Sequence, residues 1–124
     1  MMKAFIILGA INGFLAVALG AFGAHVLEAK LTERMMDVWE KGVDYQMFHT
    51  MGLFIVAFAA NKWPGSSTIK WSGILMFIGI ILFSGSLYVL STSGITKLGI
   101  ITPFGGVSFL AGWILLAVSA AKGK

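Results

Sequence analysis

The 124-residue chain contains no cysteine, and only 11% of its residues are charged. Without cysteine it can form no disulfide, no thiolate metal site and no thiol nucleophile. A soluble domain carries about 25% charged residues to keep its surface hydrated. This chain is 58% hydrophobic and has too few polar side chains to cover such a surface. The composition therefore predicts an integral membrane protein with a single transmembrane domain over residues 1–124.

Basic residues are scattered along the chain and do not form a surface for nucleic acid. The nine lysines and arginines give a net charge of +4, but they occur at the chain ends and in connecting segments, with no basic stripe and no ladder of aromatic residues. This distribution is typical of the flanks of membrane spans. We therefore expect the lipid bilayer and either a second copy or another membrane protein as partners, and no nucleic acid.

Four apolar segments are each long enough to cross the bilayer. At 1.5 Å per residue, about 20 helical residues cover the roughly 30 Å hydrocarbon layer, and a lone spanning segment must be helical to satisfy its own backbone. The spans are predicted over residues 4–24, 43–60, 71–90 and 100–121. The sequence thus predicts an all-α, four-helix transmembrane bundle. A signal peptide is the alternative for the first segment, which is longer than a usual signal-peptide core.

The segment between the first two spans is charged on one side. All five acidic residues lie in or beside it: Glu28, Glu33, Asp37, Glu40 and Asp44. At 100° per residue, the charged and apolar side chains of residues 32–44 fall on opposite arcs, which predicts an interfacial amphipathic helix with Thr32 as N-cap. We expect it to lie along the membrane surface with Trp39 towards the lipid and to turn near Gly42 into span two. The alternative is one continuous helix from Thr32 to Ala60.

Basic residues favour one membrane orientation by a narrow margin. With four spans, both termini share a side with the 61–70 turn, and this side has five lysines against four basic residues on the other. The five are Lys3, Lys62, Lys70, Lys122 and Lys124, and the four are Lys30, Arg34, Lys41 and Lys97. The positive-inside rule then predicts cytoplasmic termini.

Small residues follow one face of span one at intervals of four and three: Gly9, Gly13, Ala16, Gly20 and Gly23. Span four has a comparable face with Gly105, Ser108, Gly112 and Ser119. In lipid, close backbone approach along such faces is a main source of helix association. We interpret both faces as packing surfaces and expect spans one and four to be neighbours. A gating surface or pore lining is the alternative.

Polar side chains cluster where span one ends and span two begins. Helical spacing and the shared side of the membrane group five of them at one corner of the bundle: His25, Glu28, Tyr45, Gln46 and His49. Asn12 and Tyr88 are the other polar groups within spans. Intramembrane ionisable groups suggest function by default, but both histidines are expected near the interface, where a bonded neutral imidazole costs little. The corner has three interpretations: a structural polar clamp, a proton or small-solute path, or a metal or haem site.

Catalytic and cofactor patterns are weak. Two histidines without cysteine supply half of a zinc site, and bis-histidine haem ligation needs both rings to face one cavity. No serine lies in a Gly-x-Ser-x-Gly context and no phosphate loop is present. We therefore predict no catalytic residue, no metal, no cofactor and no enzymatic activity.

Four separated motifs carry a resemblance to a known family. They are Gly20-Ala21-Phe22-Gly23-Ala24-His25, Tyr45-Gln46 followed by His49, Phe83-Ser84-Gly85-Ser86-Leu87-Tyr88, and Thr102-Pro103-Phe104-Gly105-Gly106 leading to Gly112-Trp113. Together they resemble the domain of unknown function 423 family, also called the uncharacterised protein family 0382. Its members are small bacterial inner-membrane proteins, similar to the eukaryotic transmembrane protein 256. The resemblance implies a four-span plasma-membrane protein and brings no established activity or catalytic residues.

The leading functional interpretation is a small non-enzymatic membrane protein that acts through helix packing, as an accessory or assembly component or as a homo-oligomer. The first alternative is a channel or transporter for protons or a small solute, built on the His25/His49 corner. The second is metal or haem binding at the same histidine pair.

Overall fold

The computed structural model describes residues 1–123 and consists of helices and short connections; Lys124, counted above for orientation, lies outside the described residues. The helices are α1 (Met2–His25), α2 (Glu33–Lys62), α3 (Ser67–Gly79), α4 (Ser86–Ser93) and α5 (Thr102–Lys122). A π-helical segment, Ile80–Gly85, joins α3 and α4 into one rod, and 3-10 turns occupy Leu27–Ala29 and Thr96–Ile100. Over residues 1–123, four helical rods are long and apolar enough to cross a membrane. The predicted all-α, four-span fold is confirmed.

The second rod begins with the amphipathic segment and continues without a break. Thr32 is its N-cap, because the hydroxyl oxygen accepts a hydrogen bond from the Met35 amide at 3.2 Å. The turn expected near Gly42 is wrong: α2 is one helix of 30 residues, about 45 Å long. Trp39 is buried against α1 rather than placed in lipid, and its indole N–H donates to the Leu19 carbonyl at 3.0 Å. Because protein covers the apolar face of this segment, the helix has no reason to bend onto the membrane surface.

The rods pack in chain order. α2 lies between α1 and the α3–α4 rod, and α5 packs against the α3–α4 rod. The glycine face of α1 lies along α2, where Gly9 faces Phe54 and Gly23 faces Trp39. The expectation that spans one and four pair through their small faces is wrong, since the small face of α5 meets α3 instead. There the Ser108 hydroxyl donates to the carbonyl of Leu75 at 2.6 Å. The small residues of α1 therefore pack against α2, and those of α5 pack against α3.

The apolar core lies between α2, α3 and α5, with Phe5 entering from α1. Its fully buried centre consists of Leu53, Val56, Ile69 and Met76. A smaller cluster of Leu27, Met36, Trp39 and Val43 packs where α1 meets the first turns of α2. The two clusters fix α2 against its neighbours at both ends, and the polar residues described below lie between them.

The π-helical segment holds the rod against helices on two sides. The Ser84 hydroxyl donates to the Gly42 carbonyl of α2 at 2.7 Å. On the other side Gly105 of α5 touches the backbone of Phe83, so a methyl group there would overlap main-chain atoms. Gly42 is similarly tight, because a Cβ would lie 2.8 Å from the Tyr88 ring. Single π turns inside α-helices are frequent at functional sites, and this one sets the approach of three rods.

Candidate functional site

A chain of hydrogen bonds joins three rods at the centre of the bundle. The Gln46 amide NH₂ donates to the Asn12 side-chain oxygen at 3.0 Å, and the Tyr88 hydroxyl donates to the Gln46 side-chain oxygen at 2.7 Å. Asn12 in turn donates to the Leu8 carbonyl at 2.9 Å. Asn12 and Gln46 are only 3% and 4% exposed. α1, α2 and α4 are therefore fixed in register by side chains that bond to one another.

The hydrogen-bonded chain lies where α1 and α2 pack closely along their length. Gly13 faces Thr50, so the middle of the 24-residue α1 meets the middle of α2. An unpaired amide or hydroxyl group buried in the bundle would cost about 1–3 kcal/mol. The Thr50 hydroxyl follows the same rule and donates to the Gln46 carbonyl at 2.8 Å. The amide oxygen and NH₂ assignments are those that complete this network.

His49 is held from both sides of its ring. The Trp113 indole N–H of α5 donates to Nε2 at 3.0 Å, and Nδ1 lies 2.9 Å from the Tyr45 carbonyl. Because an indole nitrogen can only donate, Nε2 accepts and Nδ1 carries the proton. The ring is 3% exposed and stacks on Phe109 with centroids 3.5 Å apart. Both nitrogens are engaged, so a metal ion or haem iron could bind His49 only after one of these bonds broke.

The five residues predicted to form one corner are divided among three places. Gln46 belongs to the central chain, while Tyr45 and His49 face α5. His25 and Glu28 are exposed near the end of α1.

Two helical offsets explain the separation. His49 does not open the second rod: in the continuous α2 it is the seventeenth of 30 residues and is buried against α5. His25 lies two residues beyond Gly23, which contacts Trp39, and Trp39 precedes His49 by ten residues, or about 15 Å of helix. The two histidines do not face one cavity. No group of three or more histidine, aspartate or glutamate side chains within residues 1–123 is arranged to hold a metal.

Sequence reasoning missed the partners that complete these bonds. Trp113 was noted only within a motif, although it supplies the donor to His49. Three serines on the α3–α4 rod and α5 also tie helices together through backbone carbonyls: Ser72, Ser84 and Ser108. An uncharged hydroxyl on an apolar span was the available signal, because such a group must find a partner in hydrocarbon.

An open groove runs between α2 and α5 beside His49. It has a volume of about 710 Å³ and is lined mainly by aromatic and aliphatic side chains, including Tyr45, Phe48, Phe83, Val107, Leu110 and Trp113. Tyr45 stacks on Phe83 with ring centroids 4.3 Å apart, which forms one wall. Asp44, which is exposed, also lines the groove and is the one charged residue among the described residues that do so. The groove thus brings apolar walls and one carboxylate together beside His49.

Comparison with known proteins places this architecture in a family. The model of a family described as "Protein of unknown function (DUF423)" matches residues 19–106. The UPF0382 membrane protein YwdK of Bacillus subtilis is 57% identical over 121 residues, which is 98% of each chain. The UPF0382 membrane protein SH2409 of Staphylococcus haemolyticus is 50% identical over the same shares. The protein belongs to the DUF423/UPF0382 family. No solved structure matches.

The motifs that carry the resemblance to the DUF423/UPF0382 family lie at contacts between rods. Gly23 of the first motif contacts Trp39, and Gln46 of the second joins Asn12 to Tyr88 of the third. Gly105 of the fourth touches the π-helical segment. The names of the UPF0382 relatives state that they are membrane proteins and state no activity. The family thus supports the membrane location, and its motifs coincide with the packing of the rods.

Proposed function

We propose that this protein is a non-enzymatic helical-bundle protein of the plasma membrane, with cytoplasmic termini, that acts as an accessory or assembly component. It would do so by packing its outer helices in the bilayer against a second copy or another membrane protein. The observation that carries the proposal is the closed bonding of the polar core: Asn12, Gln46 and Tyr88 bond to one another, and both His49 nitrogens are engaged. Polar side chains that bond to one another hold the helices, and hence the outer surface of the bundle, in one arrangement.

The bonding gives the bundle rigidity that apolar contact alone would not supply. Lipid tails are as apolar as leucine, so helices in a membrane gain little by leaving lipid for protein. Interhelical hydrogen bonds and close glycine contacts provide the association instead. A rigid bundle presents a preorganised surface, and a partner that binds such a surface loses less conformational entropy.

The outer rods offer the surface for a partner. Only 22% of the apolar stretch of α1 and of the rod that contains α5 is buried in the bundle, against 50% for α2. The outward face of α1 exposes large apolar side chains at helical spacing: Ile7, Ile11, Phe14 and Val17. Phe14 is 73% exposed and lies near the helix centre. A partner helix would therefore pack against this face of α1, whose position relative to α2 and α4 is fixed by the central hydrogen-bonded chain.

Photo-crosslinking in native membranes tests the assembly role. A benzoyl-phenylalanine at Phe14 should yield a discrete crosslinked protein, either a dimer of this chain or a complex of one larger mass. The same probe at Phe5, which is on the same helix but is only 4% exposed and packs against Gly73, is the matched control and should give no intermolecular product. If probes at Phe14, Ile7 and Val17 of α1 and at Ile114 on the exposed face of α5 react only with lipid, the assembly role is wrong.

The transport alternative requires the central chain to open. A proton or solute would have to pass Asn12, Gln46 and Tyr88, whose polar side-chain atoms already bond to one another. Flux through proteoliposomes under a pH gradient separates the two functions. We expect the protein to give the flux of empty vesicles. A flux that rises with protein content and is lost in His49→Ala would favour transport and contradict the assembly role.

A further inference from the structure

The groove lies between α2 and α5, which belong to rods that are long and apolar enough to cross a membrane, and it is open to the outside of the bundle. Pro103, in the first turn of α5, marks one end, and Trp113 lies ten residues further along the helix, or about 15 Å. The rims are formed by side chains that are more than 60% exposed: Phe48, Val107 and Leu110. With no water in the hydrocarbon layer, the apolar walls require an apolar occupant. A volume of about 710 Å³ falls within the usual range of ligand sites, about 300–1,000 Å³.

The negative charge of Asp44 in the groove favours an occupant with a cationic headgroup. Asp44 is the one charged side chain of the described lining and lies four to five residues before Phe48 and His49 on α2. A carboxylate beside hydrocarbon attracts a cation more strongly than one in water, because the local dielectric constant is low. The rings of Tyr45, Phe48 and Phe83 line the same groove, and aromatic faces attract ammonium groups. An anionic headgroup would be repelled at the same place.

We propose that this groove binds an aminophospholipid, with its ammonium group at Asp44 and one acyl chain lying between α2 and α5 towards Trp113. The negative charge of Asp44 favours a cationic headgroup. The apolar walls, open to the outside of the bundle, favour a lipid over a soluble amine. The glycine at position 106 leaves room for the chain, since a Cβ there would meet no atom within 4 Å. The groove shares His49 and Trp113 with the polar core, and no residue of α1 lines it.

Native mass spectrometry of the detergent-purified protein tests the site. Phosphatidylethanolamine and phosphatidylglycerol with identical chains are added separately, and bound lipid is counted. We expect the parent protein to bind phosphatidylethanolamine about fivefold more tightly, the preference that a surface ion pair or one cation–π contact provides. Asp44→Asn keeps the side-chain shape and should abolish the preference. Equal binding of the two lipids by the parent would overturn the proposal.

Filling the groove tests the position of the acyl chain. Gly106→Leu projects into the open groove and should weaken binding of both lipids at least several-fold. Gly85→Leu is the matched control, because a Cβ at Gly85 also meets no atom within 4 Å and this residue is not part of the groove. Val107→Trp is a second filling variant if Gly106→Leu lowers the thermal unfolding midpoint. Unchanged lipid binding in a folded filling variant would show that the chain lies elsewhere and would refute the proposal.

Discussion

Replacing Gln46 with leucine should destabilise the bundle far more than its similar size suggests. The substitution removes the bonds to Asn12 at 3.0 Å and to Tyr88 at 2.7 Å, and it leaves the buried Asn12 oxygen and the half-buried Tyr88 hydroxyl without these partners. Side-chain hydrogen bonds in membranes average about 0.6 kcal/mol and reach about 1.7 kcal/mol. Each unpaired buried group adds roughly 1 kcal/mol or more. We expect a loss of about 2–4 kcal/mol in the free energy of unfolding.

A double-mutant cycle isolates the bond to Tyr88. Tyr88→Phe alone removes one bond and should cost about 1 kcal/mol. In the Gln46→Leu background the Tyr88 hydroxyl is already unpaired, so the second substitution should cost nothing or restore some stability. The coupling free energy should therefore be about 1 kcal/mol. Equilibrium unfolding of the four proteins in mixed detergent and SDS measures it. Additive costs would refute the hydrogen-bonded chain.

Three further predictions follow from the packing. His49→Ala should lower the thermal unfolding midpoint in detergent, because it removes the bond to Trp113 and the stack on Phe109. His25→Ala should leave the midpoint unchanged, since His25 is exposed. Equal effects of the two substitutions would contradict the placement of the histidines. Gly105→Ala should lower the free energy of unfolding by about 1–3 kcal/mol, because the added methyl group overpacks against the π-helical segment. Gly106→Ala should change it by less than about 1 kcal/mol in the same assay. Equal losses would refute the close contact at Gly105. Proteoliposomes with the parent protein should pass no more protons than empty vesicles, and a protein-dependent flux would contradict the structural interpretation of the polar core.

Span number was predictable because hydrocarbon imposes a length and a backbone rule on every segment. The cap at Thr32 was predictable for a similar reason, since free amides at a helix start need an acceptor. The path of residues 33–44 was not, because an amphipathic pattern is the same whether lipid or protein covers its apolar face. Here Trp39 and Val43 meet α1, and the helix runs straight on.

Neighbour relations were the least predictable feature of the site. A stripe of small residues shows that some helix approaches, but Gly9 and Gly105 do not identify which one. His25 and His49 were grouped by helical spacing and a shared side of the membrane, but His49 lies ten residues beyond Trp39, which is the residue that meets the end of α1. Once α2 is straight, Gln46 meets Asn12 and His49 meets Trp113, pairs that lie 34 and 64 residues apart in the chain. Such long-range pairings follow from packing and have no local pattern.

Nitrogen-15 NMR of histidine-labelled protein in bilayers tests most directly whether the polar core is closed. The bond from the Trp113 indole to Nε2 predicts a neutral His49 ring at pH 7 with its proton on Nδ1. Trp113→Phe should shift the Nε2 resonance of His49 and leave that of His25 unchanged. A His49 ring protonated on Nε2, or one whose spectrum is insensitive to Trp113→Phe, would contradict the closed core and the structural role that depends on it.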